Sequence, residues 1–508
     1  MNIKTIVYIQ TFLTLLIFSS LYYIFLRLNE IFDKNETKVS NEEELKVGVI
    51  EDNYIVVLYD NATFIDEFTR TNWIKSAIDG NTENFSKIIH YYSIPSYSGW
   101  NTPSESLRLL TKNNEGEDTK VFKGFSARLS PEMYQYFLNH PSVKYIENDS
   151  AVKIDDIVED DFINESEIEE DNEINTAGYV YYLSHCRWNL DRLENHEKTE
   201  NEDYIYKFSY ESASNVYIYV LDTGVYDGHS SFTDRIGGDL SKKRVTLGKN
   251  FIDNEENADL HGHGTHVAGI AGSTDFGVAK RANIVSVKVM NKSGIGKWSN
   301  IIAAFEWSIN HLKTTGSKKG VINLSLSGNQ STAAIDAMKS TVGQGMNIAA
   351  AAGNNGDNAC NHTPGSSSSD GIVVVGNIDV DDQIAASSNY GKCITVFAPG
   401  TKITSTANYN NEKKVMSGTS MASPHVAGVM ALLLSIKDMT PKELYSELKS
   451  LATTGYIQDI DDESPNLIAF IPRAAYVFDR DTLPIPPSIN NGDESNKSNK
   501  QNKILNIQ

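Results

Sequence analysis

Four short segments carry side chains that could carry out hydrolytic chemistry together. Gly418-Thr419-Ser420-Met421-Ala422 places a small hydroxyl where a turn opens into a long apolar run. A serine hydroxyl attacks poorly at its free pKa, so it requires a general base and donors for a developing oxyanion. Residues 216–221 read as a buried strand that delivers Asp222 at its carboxyl end, where catalytic groups gather in open α/β sheets. Gly262-His263-Gly264-Thr265-His266 sets an imidazole at the start of a small-residue helix. Residues 346–352 read as a second strand, ending at Gly353 and the amide of Asn354. An Asp-Thr-Gly turn alone is usually only a turn, and a Gly-Thr-Ser start only a helix cap. Asp222, His263, Asn354 and Ser420 together, each at a strand end or helix start, form the set that acyl transfer requires.

With Asp222-Thr223-Gly224, His263-Gly264-Thr265-His266 and Gly418-Thr419-Ser420-Met421-Ala422 intact and in that order, the chain resembles the subtilisin-like serine proteases (peptidase S8), nearest the proteinase K branch. The resemblance implies an α/β fold over residues 186–478, with a mainly parallel central sheet flanked by helices. It implies Ser420 as nucleophile, His263 as general base and then acid, and Asp222 as the group that holds the imidazole. The Asn354 side chain and the Ser420 backbone amide would bind the oxyanion. Residues 324–328 resemble the family's peptide-binding strand, which nominates Ser325, Leu326, Ser327 and Gly328. Residues 350–353 resemble a wall of the first specificity pocket, which nominates Ala352 and Gly353. A peptide would lie between these segments as an added strand. Neither contains an acidic residue, so apolar or aromatic side chains are the expected preference rather than paired basic ones.

No catalytic cofactor and no metal ligand set is expected. His261, His263 and His266 are closely spaced imidazoles, but residues two apart point to different faces of a helix or lie on a loop, and no glutamate stands where a zincin helix would need one. His261 is peculiar to this chain, His266 reads as a core or neighbouring imidazole, and His229 and Phe232 read as turn packing. The family often carries a calcium-ligating aspartate just before its Phe-Ala-Pro-Gly turn, and Thr395 stands there, a poor substitute on a hard cation. The sequence also departs from the family pattern at 365–371. Structural calcium elsewhere stays open. By the same resemblance Cys360 and Cys393 are expected to pair across a 32-residue loop in an oxidising compartment, leaving Cys186 free.

The 508 residues leave room for more than the protease region. Residues 5–26 are an uncharged apolar run behind Lys4, within a segment (1–30) whose length suits a signal peptide and an uncleaved anchor equally, and this is the only membrane contact expected. Residues 47–154 resemble the inhibitor prodomain of subtilisins, particularly in Phe122-Lys123-Gly124-Phe125-Ser126-Ala127-Arg128-Leu129. A small α+β, ferredoxin-like unit is implied, with strands at 54–58, 122–129 and 143–147 and helices at 64–78 and 131–139. The partners expected are protein substrates and this prodomain as an intramolecular inhibitor, with no nucleic acid. The stretch 155–173 holds 11 acidic residues and no basic one against a net charge of −21, so it reads as an extended linker within 155–180. The tail 479–508 is rich in Pro, Asn, Ser and Lys and reads as disordered. Asn61, Asn84 and Asn164 stand in glycosylation triplets, consistent with a secretory route to the exterior or the cell surface. A non-catalytic binding or surface-coat protein is the competing reading, and the filled catalytic positions favour the enzyme. Accessible chain is nicked first, so N-terminal sequencing of the mature form is expected to start between Ile154 and Cys186; a start inside 47–150 contradicts the linker assignment.

Overall fold

The structure, a computed structural model, describes residues 49–59, 67–79, 86–94, 122–154, 174–177, 180–184, 186–199, 204–209 and 211–472. The apolar run 5–26, the acidic stretch 155–173, the tail 479–508 and the triplets at Asn61, Asn84 and Asn164 lie outside them.

The first described part has a βαββαβ order: β1 (Val49–Leu58), α1 (Glu67–Asp79), β2 (Lys87–Ile94), β3 (Phe122–Arg128), α2 (Pro131–Leu138) and β4 (Val143–Lys153). The strands pair antiparallel in the order β4-β1-β3-β2. Helix α2 starts where the sequence directs it, because Ser130 Oγ accepts the Met133 N–H at 3.3 Å and Pro131 occupies the first helical turn. Val56, Ile74, Phe125, Leu129 and Phe137 close a small core between sheet and helices. Strand β2 is absent from the sequence reading, and β4 extends six residues beyond the 147 expected for it.

The second part supplies, in order, β5 (Tyr217–Asp222), β6 (Val245–Asn250), α3 (His263–Gly272), β7 (Asn283–Lys288), β8 (Ile295–Lys297), α4 (Trp298–Thr315), β9 (Gly320–Leu324) and β10 (Ser327–Gly328). It continues with α5 (Thr332–Gly343), β11 (Asn347–Ala351), β12 (Ile372–Ile378), β13 (Val396–Pro399), α6 (Thr419–Ile436), β14 (Thr453–Thr454) and β15 (Leu467–Ile468). Nine of these strands form one sheet in the order β6-β7-β5-β9-β11-β12-β13-β15-β14, parallel except for its last pair. Helices cover both faces, so the central strands are apolar on both sides. Ile218, Val220, Ile284 and Ala349 share one core with residues of α3 and α6, while Tyr219, Leu221, Val285, Ile322 and Ile348 share the other with α4 and α5.

The extra length of β4 joins the two parts. Lys153 lies opposite both Ile295 and Ser327, and Val152 opposite both Gly296 and Gly328, so the end of β4 is a middle strand between β8 and β10. The Ile154 N–H donates to the Gly294 carbonyl at 3.0 Å. Upstream on β4, Glu147 accepts from Ser331 Oγ at 2.5 Å and from the Ala333 N–H at 3.1 Å, at the start of α5. Asp149 accepts from the Ser299 N–H at 3.1 Å and from Ser299 Oγ at 2.6 Å, at the start of α4. Two carboxylates of one strand thus satisfy the open N–H groups of two helices, which also favour negative charge there. Burial pushes both carboxyls above the ordinary carboxylate range, against the pull of those hydrogen bonds.

Cys360 and Cys393 are bonded, with Cα atoms 5.4 Å apart, and Cys186 is free and buried. The bond closes a span of 33 residues, and such a loop constrains the unfolded chain by roughly 3–4 kcal/mol. Replacing both cysteines by alanine is therefore expected to lower the unfolding free energy by about that much in a denaturant titration; a change below about 1 kcal/mol contradicts the estimate.

Candidate active site

The parallel register sets the site's first element. Strand β5 runs directly between β7 and β9, so Asp222 leaves the carboxyl end of a central strand opposite Lys288. Its Oδ1 accepts the Thr223 N–H at 2.7 Å and lies 2.8 Å from His263 Nδ1. Both side chains are fully buried. With Nδ1–H donating to the carboxylate, the lone pair of His263 is on Nε2, which has no hydrogen-bond partner among the described residues.

His263 opens α3 behind Gly262, whose φ of +100° is a left-handed conformation that favours glycine and whose lack of a side chain leaves the helix without its usual cap. A residue the sequence leaves unmarked fills that role. Asp259, almost fully buried, accepts at Oδ1 from Thr223 Oγ1 (2.8 Å), the His261 N–H (3.0 Å) and the Gly262 N–H (2.8 Å). At Oδ2 it accepts from the Thr265 N–H (2.9 Å) and Thr265 Oγ1 (2.5 Å). Thr223 Oγ1 also accepts from the Gly264 N–H at 3.0 Å. The turn after Asp222 and the helix start bearing His263 are thus bound to one carboxylate. Beneath them the buried Lys288 donates to the Thr223 carbonyl at 2.7 Å and pairs with Glu255 at 3.1 Å. The sequence offers only faint signals: an aspartate four residues before His263 and a lysine inside an apolar strand.

Ser420 lies in the first turn of α6, buried, with Oγ 3.5 Å from the Ser325 carbonyl. The Ser325 hydroxyl donates to the Ser420 carbonyl at 2.8 Å and accepts from Asn323 Nδ2 at 2.9 Å, so the helix start is fastened to the end of β9. Asn354, just beyond β11, accepts at Oδ1 from the Thr419 N–H (2.8 Å) and Thr419 Oγ1 (3.0 Å). Those bonds fix the amide, and Gly418, at φ +151°, leaves room for it: a Cβ there would stand 3.0 Å from Asn354 Nδ2. Gly353 N–H donates to Thr419 Oγ1 at 3.2 Å, and the Ala352 carbonyl accepts from Asn389 Nδ2 at 2.9 Å. Leu326 is buried in the core beside α4, while Ser327 and Gly328 face β4. The structure therefore brings Asp222 together with His263, and the Ser420 turn together with Asn354 and Ser325, while His263 Nε2 and Ser420 Oγ form no hydrogen bond with each other. Strand β8, which flanks the end of β4 opposite β10, is missed in the sequence because Ile295, Gly296 and Lys297 show no strand pattern.

His266 turns away from the cleft: its Nε2 lies 3.1 Å from the Ile403 carbonyl and 2.9 Å from the Lys414 carbonyl. His229 and Phe232 are buried with rings 6.0 Å apart. Thr395 Oγ1 is 2.8 Å from Ser368 Oγ and accepts the Val374 N–H at 3.0 Å. That pair of hydroxyls, without a carboxylate, does not fit the hard calcium ion that the family resemblance suggests at this position.

An α/β fold with a buried aspartate-bonded histidine at one helix start and a serine at another fits the class of serine hydrolases of subtilisin type. The Subtilase family profile matches residues 213–468. The chain is 38% identical over 338 residues to alkaline serine exoprotease A of Vibrio alginolyticus, covering 66% of this chain and 56% of that relative. It is 33% identical over 372 residues to alkaline protease 2 of Aspergillus fumigatus, covering 68% of each. A cold adapted subtilisin-like serine proteinase of known crystal structure superposes with a TM-score of 0.50 at 37% identity, over 56% of this chain and 98% of that one. The chain belongs to the subtilase family of serine proteases.

Burial holds His266 down at about 3 and His425 at about 4, against an ordinary 6.5. The native state then binds fewer protons than the unfolded chain below 6.5, so stability present at neutral pH is lost as pH falls from there toward those values. Each imidazole is expected to add about 1.4 kcal/mol per pH unit to the slope. His266→Gln should be less stable at pH 7 yet flatten the stability profile between pH 6 and 4 by about one proton. An unchanged slope in chemical denaturation contradicts this.

Proposed function

We propose that the chain is a serine endopeptidase made as a zymogen, held inactive by its own residues 47–154 until the acidic stretch is cut. The observation that carries the catalytic reading is the fully buried 2.8 Å contact between His263 Nδ1 and Asp222 Oδ1, which leaves Nε2 to accept a proton. Ser420 Oγ attacks the peptide carbonyl as His263 Nε2 takes its proton; the imidazolium, stabilised by Asp222, then protonates the leaving amine. The Asn354 amide and the Ser420 N–H receive the oxyanion. Water repeats the sequence in reverse to release the acyl group.

Inhibition is supported by the placement of Val152 and Lys153 between β8 and β10, which is where an extended substrate would add its strand. The neutral, small-residue walls at Ser327, Gly328, Ala352 and Gly353 support an apolar or aromatic preference at the first pocket. Entry to a secretory route, to the exterior or the cell surface, is supported by the apolar segment 5–26 and by the Cys360–Cys393 bond, which persists in oxidising compartments. No cofactor is assigned to the chemistry, and calcium elsewhere would be structural.

Ser420→Ala should abolish hydrolysis of a peptide with Phe before the scissile bond, while Asn354→Ala keeps residual turnover, lower in kcat by roughly 100- to 1000-fold with KM little changed. Wild-type rates in either variant, or faster cleavage after Lys-Arg than after Phe, contradict the reading.

A further inference from the structure

His261 lies on the loop before α3, the second of the two placements expected for it, and the shape of that loop sets where it stands relative to His263. Gly262 between them is left-handed, and the Asp259 carboxylate fixes the His261 and Gly262 N–H groups. The turn therefore brings the two imidazoles to one side, with ring centroids 6.3 Å apart and planes at 76°. His263 Nδ1 is committed to Asp222, and its Nε2, on a fully buried residue, has no partner among the described residues. His261 is exposed at the cleft rim, where a Cβ added to Gly294 would stand 3.2 Å from its Nε2 and 3.2 Å from Ile154 Cδ1. The end of β4 thus covers the space beside His261, and that space opens when the segment leaves.

We propose that, once β4 has left, His261 and His263 form a zinc-class metal site that switches the protease off reversibly. Two imidazoles on one Zn²⁺, with Zn–N near 2.0–2.1 Å and a tetrahedral angle, set ring centroids roughly 5 Å apart. The present spacing is 6.3 Å, so the exposed His261 side chain must change rotamer to bring a ring nitrogen beside His263 Nε2. Imidazole suits Zn²⁺ and Cu²⁺ rather than Mg²⁺ or Ca²⁺. His266 takes no part, because its Nε2 faces two carbonyls inside the fold, so waters would complete the coordination. The metal would occupy the Nε2 lone pair that otherwise accepts the Ser420 proton, and the uncut chain would be protected because Ile154 fills the approach.

The inference rests on His263 being the general base, so the test separates the two. The matured chain is first assayed in zinc-free buffer that contains calcium, which tests the protease reading alone, and then titrated with zinc chloride. Inhibition reversed by chelator is expected, with calcium and magnesium chloride inert. The half-inhibiting zinc concentration should rise by about tenfold or more in His261→Ala and His261→Asn, each measured against its own zinc-free rate. Equal zinc sensitivity in all three proteins, or none up to millimolar zinc, overturns the site. Independently of activity, cobalt(II) added to Ser420→Ala chain that has been cut in trans within the acidic stretch and separated from residues 47–154 should give visible absorption that His261→Asn removes; an unchanged spectrum overturns it equally.

Discussion

A single buried carboxylate organises the catalytic end of this fold. Asp259 accepts five hydrogen bonds, from the turn that follows Asp222 and from the helix start that carries His263. A buried charge is tolerated only when it is thoroughly bonded, and each orphaned donor would cost on the order of 1–3 kcal/mol. The arrangement is therefore close to all-or-none: with Asp259 in place, the Asp222 turn and the α3 start have one relative position, and the 2.8 Å contact of acid and imidazole follows from it. Lys288 and Glu255 brace the same turn from below.

The second constraint is that of unpaired edges. β8 and β10 are short strands whose backbone groups face each other across a cleft, and such edges pair with extended chain. The end of β4 fills that gap with its own backbone, while Glu147 and Asp149 hold it against the starts of α5 and α4. One strand thus belongs to two sheets, and this couples the N-terminal βαββαβ unit to the serine-bearing part of the molecule. The same geometry that invites a substrate accommodates the chain's own segment.

Much of this was legible in sequence because local and global signals agree there. The strands ending at Asp222 and before Asn354 are apolar on both faces, since helices cover both sides of a parallel sheet, and their ends fell within a residue of those expected. Gly262 and Gly418 mark backbone conformations that a side chain would disfavour, and so they flag the adjoining His263 and Thr419-Ser420. What stayed hidden depends on distant partners. β8 consists of Ile295, Gly296 and Lys297 and is a strand only because β4 lies beside it. The final six residues of β4 have no pattern of their own, being ordered by contacts more than 100 residues away. Asp259 looks like any loop aspartate until Thr223 and Thr265 are folded around it, and the approach of His261 to His263 depends on the sign of one glycine φ.

The proposed role of Ser420 is that of a nucleophile whose exposure is controlled by the end of β4. Its most direct test is fluorophosphonate labelling, located by peptide mass spectrometry, on the uncut chain and on chain cleaved after Ile154. Rapid modification at Ser420 is expected in the cleaved chain and little in the uncut one. No modification of Ser420 in the cleaved chain, or equal labelling in both, would contradict it.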